Sequence, residues 1–559
     1  MAGTGDDVIN RLASLATNRL DYEWAWKQVA RVAAPDAGDF STRISGASVS
    51  SGKFLMATAA RRSKDIYDST AVTAVDRLAS GLEALIIPQS EYWHSFEILS
   101  LSREEATYRE KLWMQRLRNL VFKVRYDADS GWIAGSQTCF RRLVAFGNAF
   151  MWVEDGVGRK SLVRYRYIPL DECFVDEDHL GQIDTFYRDY SLTARQAVQK
   201  FGNKVSEIIQ KCAENPKEQD RRFGFVQCVQ PRGDFGLPSE GVMRTPWASL
   251  HVEVESRRVV RESGFFEFPV VDFRWLPEPG RIYGEGPVMK CLADIQSLNL
   301  MAKNELTASQ QAIDPPLLVA NAGVMNRPNS NPGAINYGGM SPTGQELVKP
   351  MFTGQRLDFA TLVLEAKRNQ VKESMYINLF ALLVQNPQRT ATEALIRANE
   401  KGELLGPAGS RIQQGLSHLV DRELDILARR GLYAPGSAFV PPTRLQGLKI
   451  GPQFTGPLSR LRQTKEVEGT IRTLQVMAPL AQIKPEVVDN FDEDRMARGL
   501  GERLGMPIDF LRPFEAVQQI RQVRSNQQAF AQAAAIAKDA SSAGKQSSEA
   551  LVNIQQMGL

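Results

Sequence analysis

Apolar residues recur along this chain at two periods, and the change of period divides the sequence. From about Asp6 to Ala34 the spacing is helical, with Leu12, Leu15, Leu20, Trp24 and Val29 as the expected core contacts and Pro35 as the stop. Helical spacing returns from Asp68 to Phe96, where Ala71, Val75, Leu78, Leu82 and Leu85 share a face and Pro88 ends the run. It recurs from Arg103 to Tyr126, through Leu112, Gln115, Leu117 and Leu120, and near Gly131 to Phe146. From Phe150 to about Phe273 the period falls to two. Runs such as SLVRYRYIPL, FGFVQCVQPR and FPVVDFRWLP, separated by Gly, Pro and Asp, predict an antiparallel β-rich subdomain. One helix is expected inside it, near Thr193 to Lys211, with Thr193 as its cap.

The stretch from Tyr283 to Arg430 reads as helix, excursion, helix, short loop and longer helix. In the first helix Pro287 suits the opening position, Met289, Leu292, Ile295, Leu298, Ala302 and Leu306 form one stripe, and Asp314-Pro315-Pro316 forbids continuation. Val288 to Ile313 would make a rod about 39 Å long. The excursion, Asp314 to Arg356, is dense in Asn, Gly and Pro, so turns joined by short strands such as Pro316 to Ala320 are expected. Such a unit buries too little to be stable alone, which favours packing on neighbouring copies. The second helix, Phe359 to Leu383, carries Leu362, Ala366, Met375, Leu379 and Leu382 on one side, and Lys367, Arg368 and Lys372 elsewhere. Asn386-Pro387 breaks the chain before the third. Beyond it come a short strand near Leu448 to Ile450, a helix from Arg460 to Met477, and a tail from Glu515 rich in Gln, Ala and Ser, helical in most of its length with an interruption at Ser541 to Gly544.

Composition narrows the function classes. The 559 residues allow two to four domain-sized units, and 68 basic against 64 acidic residues leave a net charge of +4, too near neutral for a sequence-specific nucleic-acid binder. The five cysteines are scattered without a C-x-x-C pair, so buried reduced thiols are expected. Gly46 to Lys53 misses a phosphate-binding loop by one residue of spacing and by Phe54 in place of Ser or Thr. The cluster Asp171, Glu172, Asp176, Glu177, Asp178 and His179 lacks calcium-loop spacing and is read as a solvated turn. His94, His251 and His418 are remote from any nucleophile motif. With no signal pattern at the N-terminus and no apolar run near the ~18 residues that span a bilayer, the expectation is a soluble cytoplasmic product.

DPPLLV after a helix, NPQRTATEALIRANEKGELLGP, and GPQFTGPLSRLRQ strongly resemble the portal, or head-to-tail connector, protein of short-tailed bacteriophages. Asp68-Ser-Thr-Ala followed by Leu78-Ala-Ser-Gly-Leu and Trp93 extends the likeness to the N-terminal part, so that it covers nearly the whole chain. The resemblance implies an α+β, mainly helical, portal-type subunit with wing, stem, clip and crown, assembling into a ring of about twelve copies. On this chain the parts would be wing 1–286, first stem helix 287–313, clip 314–358, second stem helix 359–383, tunnel loop 384–391, a long helix returning to the wing 392–475, and crown 476–559 with a helical or partly disordered tail.

In such a ring the tunnel loop, Gln385, Asn386, Gln388 and Arg389, with Lys367, Arg368 and Lys372 of the stem, would face double-stranded DNA. Duplex DNA carries one charge per about 1.7 Å, so sparse basic rings suit passage better than a uniformly basic wall. Clip residues Asn326, Arg327, Asn331, Tyr337 and Lys349 would receive the terminase and then tail adaptor proteins, while major capsid and scaffold proteins surround the ring. No cofactor, metal or catalytic activity is implied. The competing readings are a virion-associated enzyme, which would need clustered carboxylates or a nucleophile motif, and a non-viral helical scaffold, which predicts no ring.

Overall fold

The computed structural model describes residues 2–38, 40, 61–98, 100, 106–156, 161–235, 245–319, 340, 341, 343–351, 357–377, 391–484, 490–503, 506 and 510–534. The expected loop at Gly46 to Lys53 and the interruption at Ser541 to Gly544 lie outside them. The chain divides into two compact units: one of Met1–Phe96, Arg118–Val440 and Gly451–Arg462, the other of Glu97–Leu117, Pro441–Ile450 and Gln463–Leu559.

The strands, in chain order, are β1 (His94–Ile98), β2 (Asn148–Asp155), β3 (Val163–Ile168), β4 (Cys173–Glu177), β5 (Ile183–Thr193), β6 (Arg222–Pro231), β7 (Trp247–Glu253), β8 (Arg258–Phe265), β9 (Val270–Arg274), β10 (Leu317–Val319), β11 (Val348–Pro350) and β12 (Ile450–Phe454). The expected β-rich subdomain is present as an antiparallel sheet β4-β5-β6-β7-β8 beside a smaller sheet β3-β2-β9. Period-2 alternation gives the larger sheet two distinct faces. One carries Phe174, Tyr187, Val226, Cys228, Leu250 and Val252, which pack on Val8, Leu12 and Leu15 of the N-terminal helix Ala2–Val32. Tyr190 and Phe225 on the other meet two short helices, Ala194–Phe201 and Glu207–Glu214. These two replace the single helix expected there, because Gly202, at φ 62°, turns the chain after Phe201. Thr193 does cap the first, in a reciprocal box with Gln196.

The N-terminal helix corrects part of the expected core. Leu20 is exposed and Trp24 is 64% exposed, whereas Arg19, Glu23 and Trp26 are buried. The buried face runs through two charged residues, which the apolar count passed over. Arg19 is satisfied inside the fold: it donates to Glu23 at 2.9 Å and to the carbonyls of Leu170 and Asp171 at 3.2 and 3.3 Å, and lies over the Phe174 ring. The acidic cluster is likewise less solvated than expected. Asp171 is buried, Glu172 pairs with Arg188, Glu177 with Arg274 and Asp176 with Arg11, leaving Asp178 to close the turn by accepting from Leu180 and Gln182. Among the described residues no group of acidic, His or Cys side chains is placed to hold a metal ion.

Strand β2 is central to its sheet and buried along Asn148–Val153, with helix Trp132–Phe146 packed on it and the long helix Ala391–Arg429 beside it. Gly147 joins that first helix to β2 at φ 75°, and a Cβ there would meet the Gly284 carbonyl at 2.5 Å, so only glycine fits. Ala391–Arg429 lies against β9 through Gly415, where a Cβ would fall 2.8 Å from the Asp272 carbonyl. The expected third long helix is therefore present, with Pro407 inside it. The strand expected at Leu448 to Ile450 forms slightly later, as β12, and pairs with β1. All five cysteines are buried and free. Burial pushes the Cys228 thiol up to about 12 and the Cys291 thiol up to about 11.

In the second unit, Thr107 and Glu110 form a capping box that starts helix Tyr108–Arg125 five residues later than expected, Thr107 N donating to Glu110 at 2.8 Å. Glu110 also faces Arg444. Helix Glu493–Arg503 is tied to the helix at 514–534 by Arg521, which makes a two-pronged pair with Asp494 at 2.6 and 2.7 Å. Among the described residues no helix is long and apolar enough to cross a membrane.

Candidate functional site

The helical hairpin and the long helix that follows it hold most of the residues singled out from the sequence. After a helical turn at Pro287–Lys290 the chain bends at Cys291 and runs as Leu292–Ile313. Proline after Asp314 stops it, and β10 pairs antiparallel with β11, Leu317 opposite Pro350 and Val319 opposite Val348. The return helix is Leu357–Ser374. It is interrupted after Ser374, where Met375 and Tyr376 form a turn with Tyr376 at φ 56°, a left-handed conformation that no regular helix continues through; Leu379, Leu382 and Leu383 of the expected helix lie outside the described residues.

Burial on this hairpin departs from the expected stripes. Ile295, Leu298 and Ala302 are buried on the first helix, but Leu306 is exposed and Ile313 is 85% exposed. On the second, Leu364 and Val371 are buried, as is Met375 just past its end, while Leu362 is 70% exposed and Ala366 is exposed. The half of the hairpin nearer the excursion thus presents large apolar side chains that the described residues leave exposed.

The charges of the hairpin are matched near its base. Lys367 Nζ donates to Asp294 at 2.9 Å, and Gln370 donates to the same carboxylate at 3.3 Å. Arg368 Nε donates to Asp68 at 2.8 Å. Asp68, only 3% exposed at its side chain, also accepts from the Thr70 backbone at 2.8 Å. Burial alone would raise its pKa, but the hydrogen bonds from Thr70 and Arg368 outweigh that and hold it below the usual carboxylate value. From the first helix Asn299 accepts from the backbone N–H groups of Tyr67 and Asp68 at 2.7 and 3.2 Å, and donates to the Asp65 carbonyl at 2.9 Å. One turn, Asp65 to Asp68, is therefore bonded to both helices of the hairpin.

The long helix is fixed by a second polar group. Glu423 accepts from Arg125 Nε at 2.8 Å, from a second Arg125 nitrogen and from the Tyr165 hydroxyl. Arg125 lies over the rings of Trp93 and Phe122 and donates to His94 Nε2 at 3.0 Å. Burial, and then the Arg125 charge, push the His94 pKa well down, so its ring is neutral. On the same helix, Arg422 and Arg429 both reach Glu267.

Of the predicted residues, Lys367 and Arg368 are thus ion-paired within the chain, Lys372 is half-buried without an ion pair among the described residues, and Lys349 is exposed on β11 opposite Leu318. Gln385, Asn386, Gln388, Arg389, Asn326, Arg327, Asn331 and Tyr337 lie outside the described residues. Sequence reasoning missed Asp68, Asp294, Asn299 and Glu423. Only Asp68 left a local signal, as an acidic residue two positions before a helix start.

The sequence matches the family described as bacteriophage head to tail connecting protein over residues 6–511. It is 26% identical over 542 residues to a probable portal protein of Bordetella phage BPP-1, covering 95% of this chain and 92% of that one. It is 26% identical over 555 residues to the portal protein of Salmonella phage epsilon15, covering 97% and 95%. Among solved structures, a chain in the neck of an empty gene transfer agent particle aligns with a TM-score of 0.36 at 11% identity, covering 79% of this chain and 90% of that one.

Proposed function

We propose, from the premise that this chain belongs to the bacteriophage head to tail connecting protein family, that it is the portal subunit of a phage head, closing with its copies into a ring of about twelve around a DNA channel. The observation that carries the reading is the family match from residue 6 to residue 511, joined to end-to-end likeness with two portal proteins. The hairpin supports it: Leu306, Ile313 and Leu362 are apolar, exposed in the single chain, and need neighbouring copies to cover them.

In this reading Leu292–Ile313 and Leu357–Ser374 are the stem, the excursion between them is the clip, and the long helix returns the chain to the β-rich wing. Genomic DNA passes through the channel during packaging and ejection without sequence-specific contact. Lys367 and Arg368, neutralised by Asp294 and Asp68, contribute little net charge to the channel wall, which suits a surface that must not hold DNA. Arg389, Gln385, Asn386 and Gln388 supply the contacts of the tunnel loop. The clip, with Lys349, Asn326, Arg327, Asn331 and Tyr337, docks first the terminase, which supplies the energy of packaging, and then tail adaptors. Capsid and scaffold proteins surround the wing at one capsid vertex, where the ring assembles in the host cytoplasm, and the chain itself performs no catalysis.

Electron microscopy of the purified protein, with mass photometry, tests the reading. Rings of about twelve subunits with an axial hole are expected. A monomer or dimer that persists when scaffold protein is added would overturn it.

A further inference from the structure

The row of residues facing one another across the five-stranded sheet is unusual for a covered face. Cys173, Arg188, Gln227, His251 and Arg261 are successive partners in register from β4 to β8. Arg188 and Lys200 both sit at the Tyr190 ring, 4.7 and 4.8 Å from its centroid. Lys200 Nζ donates to the Tyr190 hydroxyl at 3.0 Å, and that hydroxyl is 3.1 Å from His251 Nδ1. Arg166, on β3 of the neighbouring sheet, lies close enough for its charge to act on Arg188, Lys200 and His251. Its Nε is buried and has no hydrogen-bond partner.

The charges here do not balance. Arg188 is paired with Glu172 at 2.7 Å, and Glu154, on β2, already accepts from the Trp152 ring. Arg166, Lys200 and Arg261 have no ion pair among the described residues. Counting Arg166, Arg188, Lys200 and Arg261 against Glu154 and Glu172 leaves an excess of two positive charges. Like charges crowded against a buried, unmatched N–H are costly unless something neutralises them.

We propose that Arg166, Arg188, Lys200 and Arg261 form a binding site for a doubly charged oxyanion of the phosphate class, seated between the five-stranded sheet and β3. Arg166 Nε supplies a donor left idle by the protein, the other three cations close around the anion, and Tyr190 and His251 hold Lys200 in place. The crowding has a second sign. Burial, and then Arg188, Arg166 and Arg261, lower the Lys200 pKa to about 8, with Glu154 opposing. Burial and the same cations keep His251 neutral. An anion at this point restores the lysine charge, so binding strengthens as pH falls through 8.

Sulfate is the probe, because its charge is constant across this range. Isothermal titration of the full-length protein, with sodium chloride holding ionic strength fixed, is expected to show one saturable sulfate site per chain, tighter at pH 7 than at pH 9. Lys200→Gln and Arg261→Gln change residues that keep part of their surface in solvent, leave the circular dichroism unchanged, and each weaken sulfate about tenfold. Competition by a short single-stranded oligonucleotide identifies backbone phosphate as the natural source, and sulfate binding without that competition identifies a free ion. Absence of a saturable site, or equal affinity in both variants and the wild type, overturns the proposal.

Discussion

Arg125 and Glu423, 298 positions apart, form an ion pair with both side chains essentially removed from water. The pair joins the end of one helix to the C-terminal part of another beside the aromatic cluster of Trp93, Phe122 and Trp132. A buried pair gains little net stability over apolar residues of like shape, yet losing one member strands a charge in low dielectric. Arg125→Met or Glu423→Gln alone is expected to lower the unfolding free energy of its unit by about 3–5 kcal/mol, and Arg125→Met with Glu423→Leu by clearly less than either. Urea denaturation of the four proteins checks this. Additive losses in the double variant would mean that the two residues are not coupled.

The histidines set a pH window. Burial, followed by nearby cations, depresses both His94 and His251 in the folded chain, while the unfolded residues titrate near 6.5. The unfolded state therefore binds more protons below about 6.5, so the stabilising contribution is complete above that pH and is lost as pH falls. Asp36 and Asp68 are also depressed, but their losses come only below about 4. Between pH 6.5 and 5 each histidine contributes a slope of up to about 1.4 kcal/mol per pH unit. His94→Gln keeps an acceptor for Arg125 without titrating and is expected to reduce that slope by about half. Urea midpoints across this range decide it, and an unchanged slope would remove His94 as the cause.

The turn at Asp65 to Asp68 gives the hairpin its attachment. Asp68→Ala removes both the Thr70 cap and the partner of Arg368, and is expected to cost about 1–3 kcal/mol, felt locally. Hydrogen exchange at 357–374 is expected to accelerate while that of β5 and β6 is unaffected. Uniform acceleration would show that the contact supports the whole unit and not the hairpin alone.

Periodicity located helices and strands here with fair success, and its errors have one physical source. It reports which positions are apolar, not which surface covers them. Trp24 looks like core but lies on the outer face of its helix, while Arg19 and Glu23, on the inner face, are satisfied by each other and by carbonyls from a segment about 150 positions away. Tyr376 in the left-handed region, which ends the return helix, carries no turn residue to announce it. The site was legible only as charged residues in a helix. Asp68 meeting Arg368 across 300 positions, and Asp294 meeting Lys367, are tertiary facts that no local spacing encodes.

Leu362 sharpens the same point into a test of assembly. It is apolar, sits on a helix whose own buried face is Leu364 and Val371, and is 70% exposed in the single chain. If neighbouring copies cover it, a charge there is carried into a subunit interface without a partner. If nothing covers it, the charge is simply solvated. Leu362→Glu is therefore expected to leave the unfolding free energy of the separate chain within about 0.5 kcal/mol of wild type. The same substitution is expected to shift mass photometry from rings toward monomers, because an unpaired buried carboxylate in every interface of a ring is prohibitive. Rings that form normally with glutamate at this position would place the hairpin's exposed face away from the contacts between copies, and the interface would have to be sought on the β-rich part of the chain.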